Sequence, residues 1–241
     1  MQTFRPLVQD CVPERLLSTT RLCYIPTAAW TYSETSEKGH GEQRRRWRYE
    51  AKQKIQMLAA ELGTSGSTVV LELDSPNQST ASIQEALSNA DILYVDGGNT
   101  FYLQHTLIKT NFWSVALPLI ETNKLLYIGA SAGGIVAGNR IETALWKGWD
   151  KPHPPGMGMD DWQWAEGNRM EGSGLVDFSL FMHFVPEMHT DLVQKRGAGC
   201  RVHCIADNCA VAVGMDPGPA LVELSADGVR RPLTVSCLPS V

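Results

Sequence analysis

The stretch Leu125 to Gly138, LLYIGASAGGIVAG, restricts the fold more than any other part of the chain. LLYI has the length and residue types of a buried strand, and IVAG after the glycines suits the start of a helix. Between them Gly129, Ala130, Ser131, Ala132 and Gly133 spell G-x-S-x-G, the pattern of a nucleophile elbow, in which serine occupies the sharp turn from strand to helix. Small neighbours let the backbone crowd Ser131 and leave the Ala132 N–H free to face an anionic oxygen. The same glycines also serve plain tight turns, so the pattern needs support from a second element.

That element is Tyr94 to Leu103, YVDGGNTFYL, which again reads as strand, glycine turn and helix start. Gly97 and Gly98 can aim consecutive N–H groups at an anionic oxygen, and Asn99 or Thr100 can cap a helix that begins near Phe101. We therefore expect Gly97, Gly98, Asn99 and Ala132 to form the oxyanion and substrate-binding set. The plain alternative is a turn that uses glycine for positive φ, with Asn99 as an ordinary N-cap.

Around these turns the pattern alternates. Glu42 to Leu62 predicts a long helix with Ile55, Leu58, Ala59 and Leu62 on its apolar face and Gly63 as its stop. Thr68 to Leu73 predicts a strand, Ile83 to Ala90 a short helix, Ile92 to Val95 a strand, and two helices separated near Asn111 and Pro118 lead to the elbow. Such alternation implies a three-layer α/β fold, a mostly parallel sheet with helices on both faces and the site at the carboxyl ends of its strands. With 241 residues and 43% hydrophobic content, one α/β domain over residues 1–241 accommodates the chain, and no repeat or low-complexity tract is evident.

The formal net charge of -5 argues against a nucleic-acid partner, and the basic cluster Gln43 to Arg48, QRRRWR, reads as the solvated face of a helix. No apolar run approaches about 18 residues, and MQTFRPLVQDC lacks the regions of a signal peptide, so we expect a soluble cytoplasmic protein with no membrane partner. The six cysteines, Cys11, Cys23, Cys200, Cys204, Cys209 and Cys237, are too scattered for a disulfide scaffold. Cys200, His203, Cys204 and Cys209 raise a zinc site, but the segment alternates as a strand and small core thiols are the better reading. We expect no metal and no cofactor.

VDGGNTF together with IGASAGG resembles the dipeptidase E and cyanophycinase family of serine peptidases. RLCYIPTAAW, Arg21 to Trp30, is similar to the family's second strand and its Pro-Thr-Ala-Ala turn, and the resemblance extends over about four fifths of the chain. It implies a class I glutamine amidotransferase-like, flavodoxin-like fold with serine as nucleophile. The absence of cysteine at the elbow separates the chain from the amidotransferases themselves, which need a thiolate where Ser131 stands.

The resemblance also implies a triad. In the family a histidine follows in a short strand before an aromatic residue, matching His183 in FMHF, and an acid follows at a later strand end, matching Asp207 in IADN. Ser131 would then be the nucleophile, His183 its base and Asp207 the group that orients the imidazole. The family usually carries glutamate at the last position. Aspartate is one methylene shorter, so the His183 loop must sit closer to that strand end. Among the other histidines, His40, His105 and His153 read as surface or packing residues, whereas His189 and His203 are closer rivals.

Two segments depart from the family. Met1 to Thr20 lacks a clear hydrophobic first strand, which would be short, displaced or missing, and a second copy of the chain, forming a homodimer, could cover the gap. Glu142 to Ser173 carries Trp146, Trp149, Trp162 and Trp164 with Asp150, Asp160 and Asp161, and reads as a substrate lid in preference to a surface loop or dimer contact. The family implies a small peptide or amino-acid conjugate as substrate, an amino-terminal aspartate being one choice, with Lys195 or Arg196 as a carboxylate receptor; the acidic tryptophan loop suits a cationic or aromatic group instead. The expected chemistry is amide hydrolysis through an acyl-enzyme. An inactive relative that binds a ligand or partner, and a serine esterase or acyltransferase, are the competing classes.

Overall fold

In the computed structural model, which describes residues 18–32, 40–152, 170–207, 209–213, 221–224 and 230–232, the central strand is β1 (Leu22–Ile25). It pairs in parallel with β2 (Thr68–Val70) on one side and β3 (Ile92–Val95) on the other. β3 pairs in parallel with β4 (Leu126–Gly129), giving the order β2-β1-β3-β4. The chain leaves β1 for one edge and returns to its other side, which opens a crevice at the carboxyl ends of β1 and β3.

Period-two alternation divides the strands between two cores. Leu22, Tyr24 and Ile92 meet Ala51, Ile55, Leu58 and Leu62 of α1 (His40–Leu62), spaced to form one helix stripe. Cys23, Ile25, Leu93 and Val95 face the opposite layer. That layer contains α2 (Thr80–Ser88), α3 (Thr100–Lys109), α4 (Phe112–Glu121) and α5 (Ala132–Ala137). The three-layer α/β expectation is met, with helices on both faces of a parallel sheet.

Local boundaries differ from the sequence reading for identifiable reasons. β2 ends at Val70 because the chain turns, the Ser75 N–H donating to Glu72 O, although Leu71 and Leu73 remain buried. α2 begins at Thr80 because Ser79 and Ser82 cap each other reciprocally. Pro118 lies inside α4 and does not separate helices; the break is at Asn111, whose φ of 52° turns the chain. Proline removes one backbone donor, and the packing of Leu119 and Ile120 against the core keeps the helix continuous.

Beyond α5 come α6 (Thr143–Trp146), β5 (Ser179–Met182), α7 (Pro186–Arg196) and β6 (Val202–Ile205). β5 and β6 pair in parallel, with Met182 opposite Ile205. β7 (Ala210–Val213), β8 (Leu221–Leu224) and β9 (Arg230–Pro232) form an antiparallel sheet. Of the segment Met1 to Thr20, where the first strand is expected to be short, displaced or missing, residues 1–17 lie outside the described residues, as do Asp160, Asp161, Trp162 and Trp164 of the tryptophan segment, which fall within 153–169.

In the basic cluster on α1, Arg45, Arg46 and Arg48 are exposed, with Arg46 bonded to Glu50 and Arg48 to Glu72. Burial pushes the Cys23 thiol up to about 12 and that of Cys204 to about 11, so both stay protonated at neutral pH. Cys200, expected in the core, is exposed just after α7. Among the described residues no three His, Cys, Asp or Glu side chains converge as a metal site would require, and no helix is long and apolar enough to cross a membrane.

Candidate active site

Ser131 sits between β4 and α5 with φ 49° and ψ -109°, a region that costs a non-glycine residue on the order of 1–3 kcal/mol. Close packing holds it there. A Cβ on Gly129 would lie 2.4 Å from Gly133 O, and one on Gly133 would lie 2.2 Å from Val95 O. The Ala130 N–H donates to Val95 O at 2.9 Å and the Tyr127 hydroxyl to Gly133 O at 2.6 Å, tying the turn to β3 and to its own strand. Both glycines of the motif are thus required by backbone approach.

His183 immediately follows β5, and Asp207 lies two residues beyond β6. The pairing of Met182 with Ile205 puts these strand ends side by side, and the Phe184 N–H donates to Ile205 O at 2.9 Å. His183 Nε2 lies 2.8 Å from Ser131 Oγ, and its Nδ1 lies 2.6 Å from Asp207 Oδ1. With Nδ1–H donating to the carboxylate, Nε2 is left to accept the serine proton. Asp207 reaches despite its shorter side chain because the register and a φ of 55° at His183 bring the imidazole to it.

The expected oxyanion and substrate-binding residues divide. Gly98 lines the cavity beside Ser131, and among the described residues its N–H has no acceptor. Ala132 opens α5, where the first N–H groups have no partner within the helix. The Gly97 N–H instead donates to Asp96 Oδ1 at 2.9 Å, and a Cβ on Gly97 would lie 2.9 Å from that of Ser131. Gly97 therefore supplies room for the serine while its donor is engaged elsewhere. Asn99 is structural: its Oδ1 accepts the Tyr102 N–H at 2.9 Å as the N-cap of α3, and its Nδ2 donates to Lys151 O at 3.0 Å.

The sequence reading missed what secures the glycine turn. Asp96 accepts from the Tyr24 hydroxyl and, at 2.7 and 2.6 Å, from Lys54 Nζ. These residues come from β1 and α1, and only the aspartate of VDGG hinted at the network.

A cavity of about 220 Å³ opens at the serine, lined among others by Ile135, Lys147, Trp149, Asp150 and His183. Lys147 Nζ donates to Met182 O at 2.5 Å and stands 4.0 Å above the Trp149 ring; burial lowers its pKa. Asp150 Oδ2 accepts the Thr100 N–H at 2.9 Å, and burial raises its pKa. Trp149 and Asp150 belong to the segment read as a lid. Lys195 and Arg196 are exposed in the last turn of α7, where cations complement the helix carboxyl end, and do not line the cavity.

Of the rival histidines, His203 packs edge-on against Phe178 within β6, and His189 is buried against Phe181 and Phe184. His189 Nδ1 accepts the Val185 N–H at 2.9 Å, which requires that nitrogen to be unprotonated. Burial lowers its folded pKa, so the unfolded chain takes up the proton first, at about pH 6.5. The stabilisation is complete above that pH and is lost as pH falls through it toward the folded value. Thermal midpoints should therefore decline on acidification from about pH 8 to about pH 5, and His189→Leu should make the decline shallower. Equal slopes would place the titration at another residue.

Comparison with known proteins agrees with this arrangement of elements. Residues 2–216 match the model of peptidase family S51. An uncharacterized peptidase of Listeria monocytogenes is 31% identical over 53% of the chain and 56% of its own length. One of Pasteurella multocida is 37% identical over 52% of the chain and 54% of its length. Peptidase E of Shewanella amazonensis is 40% identical over 25% of each chain. The chain thus spans a little over half the length of the first two relatives. The crystal structure of a candidate peptidase E protein from Listeria monocytogenes superposes with a TM-score of 0.63 at 22% identity, covering 97% of this chain and 95% of that one. A peptidase from an acI-B1 Actinobacterium gives 0.57 at 19% identity, covering 97% and 87%. These two likenesses concern the fold, whereas the family model spans most of the sequence, and on that match the chain is a member of peptidase family S51.

Proposed function

We propose that the chain is a serine hydrolase that cleaves an amide bond in a small peptide through an acyl-enzyme on Ser131. The observation that carries this reading is the unbroken line from Ser131 Oγ through the His183 ring to Asp207 Oδ1, at 2.8 and 2.6 Å. Ser131 Oγ attacks the scissile carbonyl carbon while its proton passes to His183 Nε2. The carbonyl oxygen becomes an oxyanion and takes the Gly98 and Ala132 N–H groups. Asp207 stabilises the imidazolium, which then protonates the departing amine as the C–N bond breaks. A water molecule repeats the sequence on the ester, with His183 as base, and releases the acid.

Intact-mass spectrometry after treatment with a small fluorophosphonate tests the proposal. The serine oxygen displaces fluoride from phosphorus only when its proton is taken up. One adduct is expected on the wild-type protein, none on Ser131→Ala, and a much slower reaction on His183→Ala. No adduct on folded wild-type protein overturns the proposal.

Asp207→Asn should lower kcat by about 10²–10³-fold, measured with a cleaved dipeptide. The Asp207 side chain is 70% exposed, and water screens part of its effect on the imidazolium, so the loss should fall short of that for a buried triad acid.

A further inference from the structure

Tryptophan is highly buried on average, because its ring carries so much apolar surface. Trp149 is 62% exposed, although the chain that carries it is fastened on both sides. Before it, Thr143 Oγ1 in α6 donates to Leu180 O of β5 at 2.6 Å, and Lys147 Nζ donates to Met182 O. After it, Asp150 Oδ2 accepts the Thr100 N–H and Lys151 O accepts from Asn99 Nδ2, both at the start of α3. The Lys147 ammonium lies over the indole, but it also has the Phe181 ring at 4.9 Å and the Met182 carbonyl, so its charge does not depend on Trp149 alone. The indole lines the cavity with Ser131, and its centroid lies 6.0 Å from that of the His183 imidazole, the two planes inclined by 47°. Covering such a ring removes apolar surface from water, and a fastened backbone has little freedom left to lose.

His183 decides which part of a substrate comes to this ring. To protonate the departing amine, its Nε2 must come within about 3 Å of the nitrogen that leaves. The side chain of the residue bearing that nitrogen begins about 2.5 Å from it, two bonds away. An indole at one ring contact from the imidazole is therefore within reach of a side chain of leucine size or larger. We propose that Trp149 receives the side chain of the residue on the leaving side of the scissile bond, so that the enzyme prefers peptides in which this residue is aromatic or large and aliphatic. This assignment rests on Ser131 and His183 acting as nucleophile and general acid. Trp149 thereby selects the leaving residue, and the contact carries its nitrogen to the imidazole.

The test is a set of dipeptides X-Gly, X-Ala, X-Leu and X-Phe, with each common residue tried as X, compared by kcat/KM. In wild-type protein X-Leu and X-Phe should exceed X-Gly by about 10-fold, the size expected for covering such a side chain with an aromatic face. Trp149→Ala and Trp149→Gln should each bring that ratio close to one, and Trp149→Phe should keep much of it. The fluorophosphonate, whose leaving group is fluoride, reports separately on Ser131. Equal values for X-Gly and X-Phe in wild-type protein overturn the assignment, as does cleavage of none of these dipeptides by protein that takes up the adduct. So does a Trp149→Ala or Trp149→Gln protein, folded by its thermal midpoint, that loses all four dipeptides alike or keeps the wild-type ratio, since Trp149 would then act through His183 or not at all. A ratio that stays while the ranking of X changes places the indole on the acyl side and also overturns it. Absence of the adduct on wild-type protein is the separate failure of the nucleophile assignment.

Discussion

Ser131→Ala is expected to abolish the fluorophosphonate adduct and to lower kcat by about 10⁴–10⁶-fold, because the acyl-ester of the proposed mechanism forms on the Ser131 Oγ. The fold should survive, since alanine at this position keeps every backbone contact of the turn. A companion variant separates chemistry from architecture. Serine is held at φ 49° and ψ -109°, where any Cβ is strained, and glycine relieves that strain. Ser131→Gly should therefore be as inactive as Ser131→Ala and more stable than wild type by about 1 kcal/mol, measured by denaturant unfolding. Activity retained in either variant would remove Ser131 from the mechanism. A fall in stability in Ser131→Gly would show that the turn is unstrained.

Gly98→Ala should be strongly destabilising. Its φ of 145° disfavours any side chain, and an added Cβ would lie 2.1 Å from Ala28 O and 2.2 Å from Ala28 C. Both are backbone atoms, so no rotamer change relieves the clash, and either the Gly97–Gly98 turn or the segment after β1 must move. The expected cost is about 4 kcal/mol or more, a large share of the roughly 5–15 kcal/mol typical of a folded domain. Gly148→Ala is the control. Gly148 also has positive φ, 69°, but nothing lies within 4 Å of its added Cβ, so only conformational strain of about 1 kcal/mol is expected. Urea midpoints of the two variants should differ clearly. Similar values would mean that the contact with Ala28 is looser than described.

The two substitutions illustrate different kinds of legibility. The elbow was readable because its motif is consecutive: Gly129 is required by Gly133 O within the turn and the serine between them takes that turn, although the need for glycine at 133 comes from Val95 O on β3. The stripe on α1 was readable for a similar reason, since helical spacing alone places Ile55, Leu58 and Leu62 on one face. His183 and Asp207 were found through family resemblance. Their meeting follows from the pairing of Met182 with Ile205, and nothing in either local segment specifies that register.

Other features depended on contacts that no sequence window contains. Pro118 looked like a break and is carried within α4 by apolar packing on either side of the turn. Gly97 looked like a second oxyanion donor, but its N–H turns to Asp96, which Tyr24 and Lys54 hold from 72 and 42 residues away. Asp150 read as one acid of a tryptophan-rich loop, and folding brings it to the N-terminus of α3 beside the serine. Steric exclusion and helical or strand periodicity act between near neighbours, so the sequence alone established the strand–turn–helix units, their buried faces and the serine's turn. Strand order, inter-strand register and the burial of particular charges arise from packing between distant segments, and these brought His183, Asp207 and Asp150 to that turn.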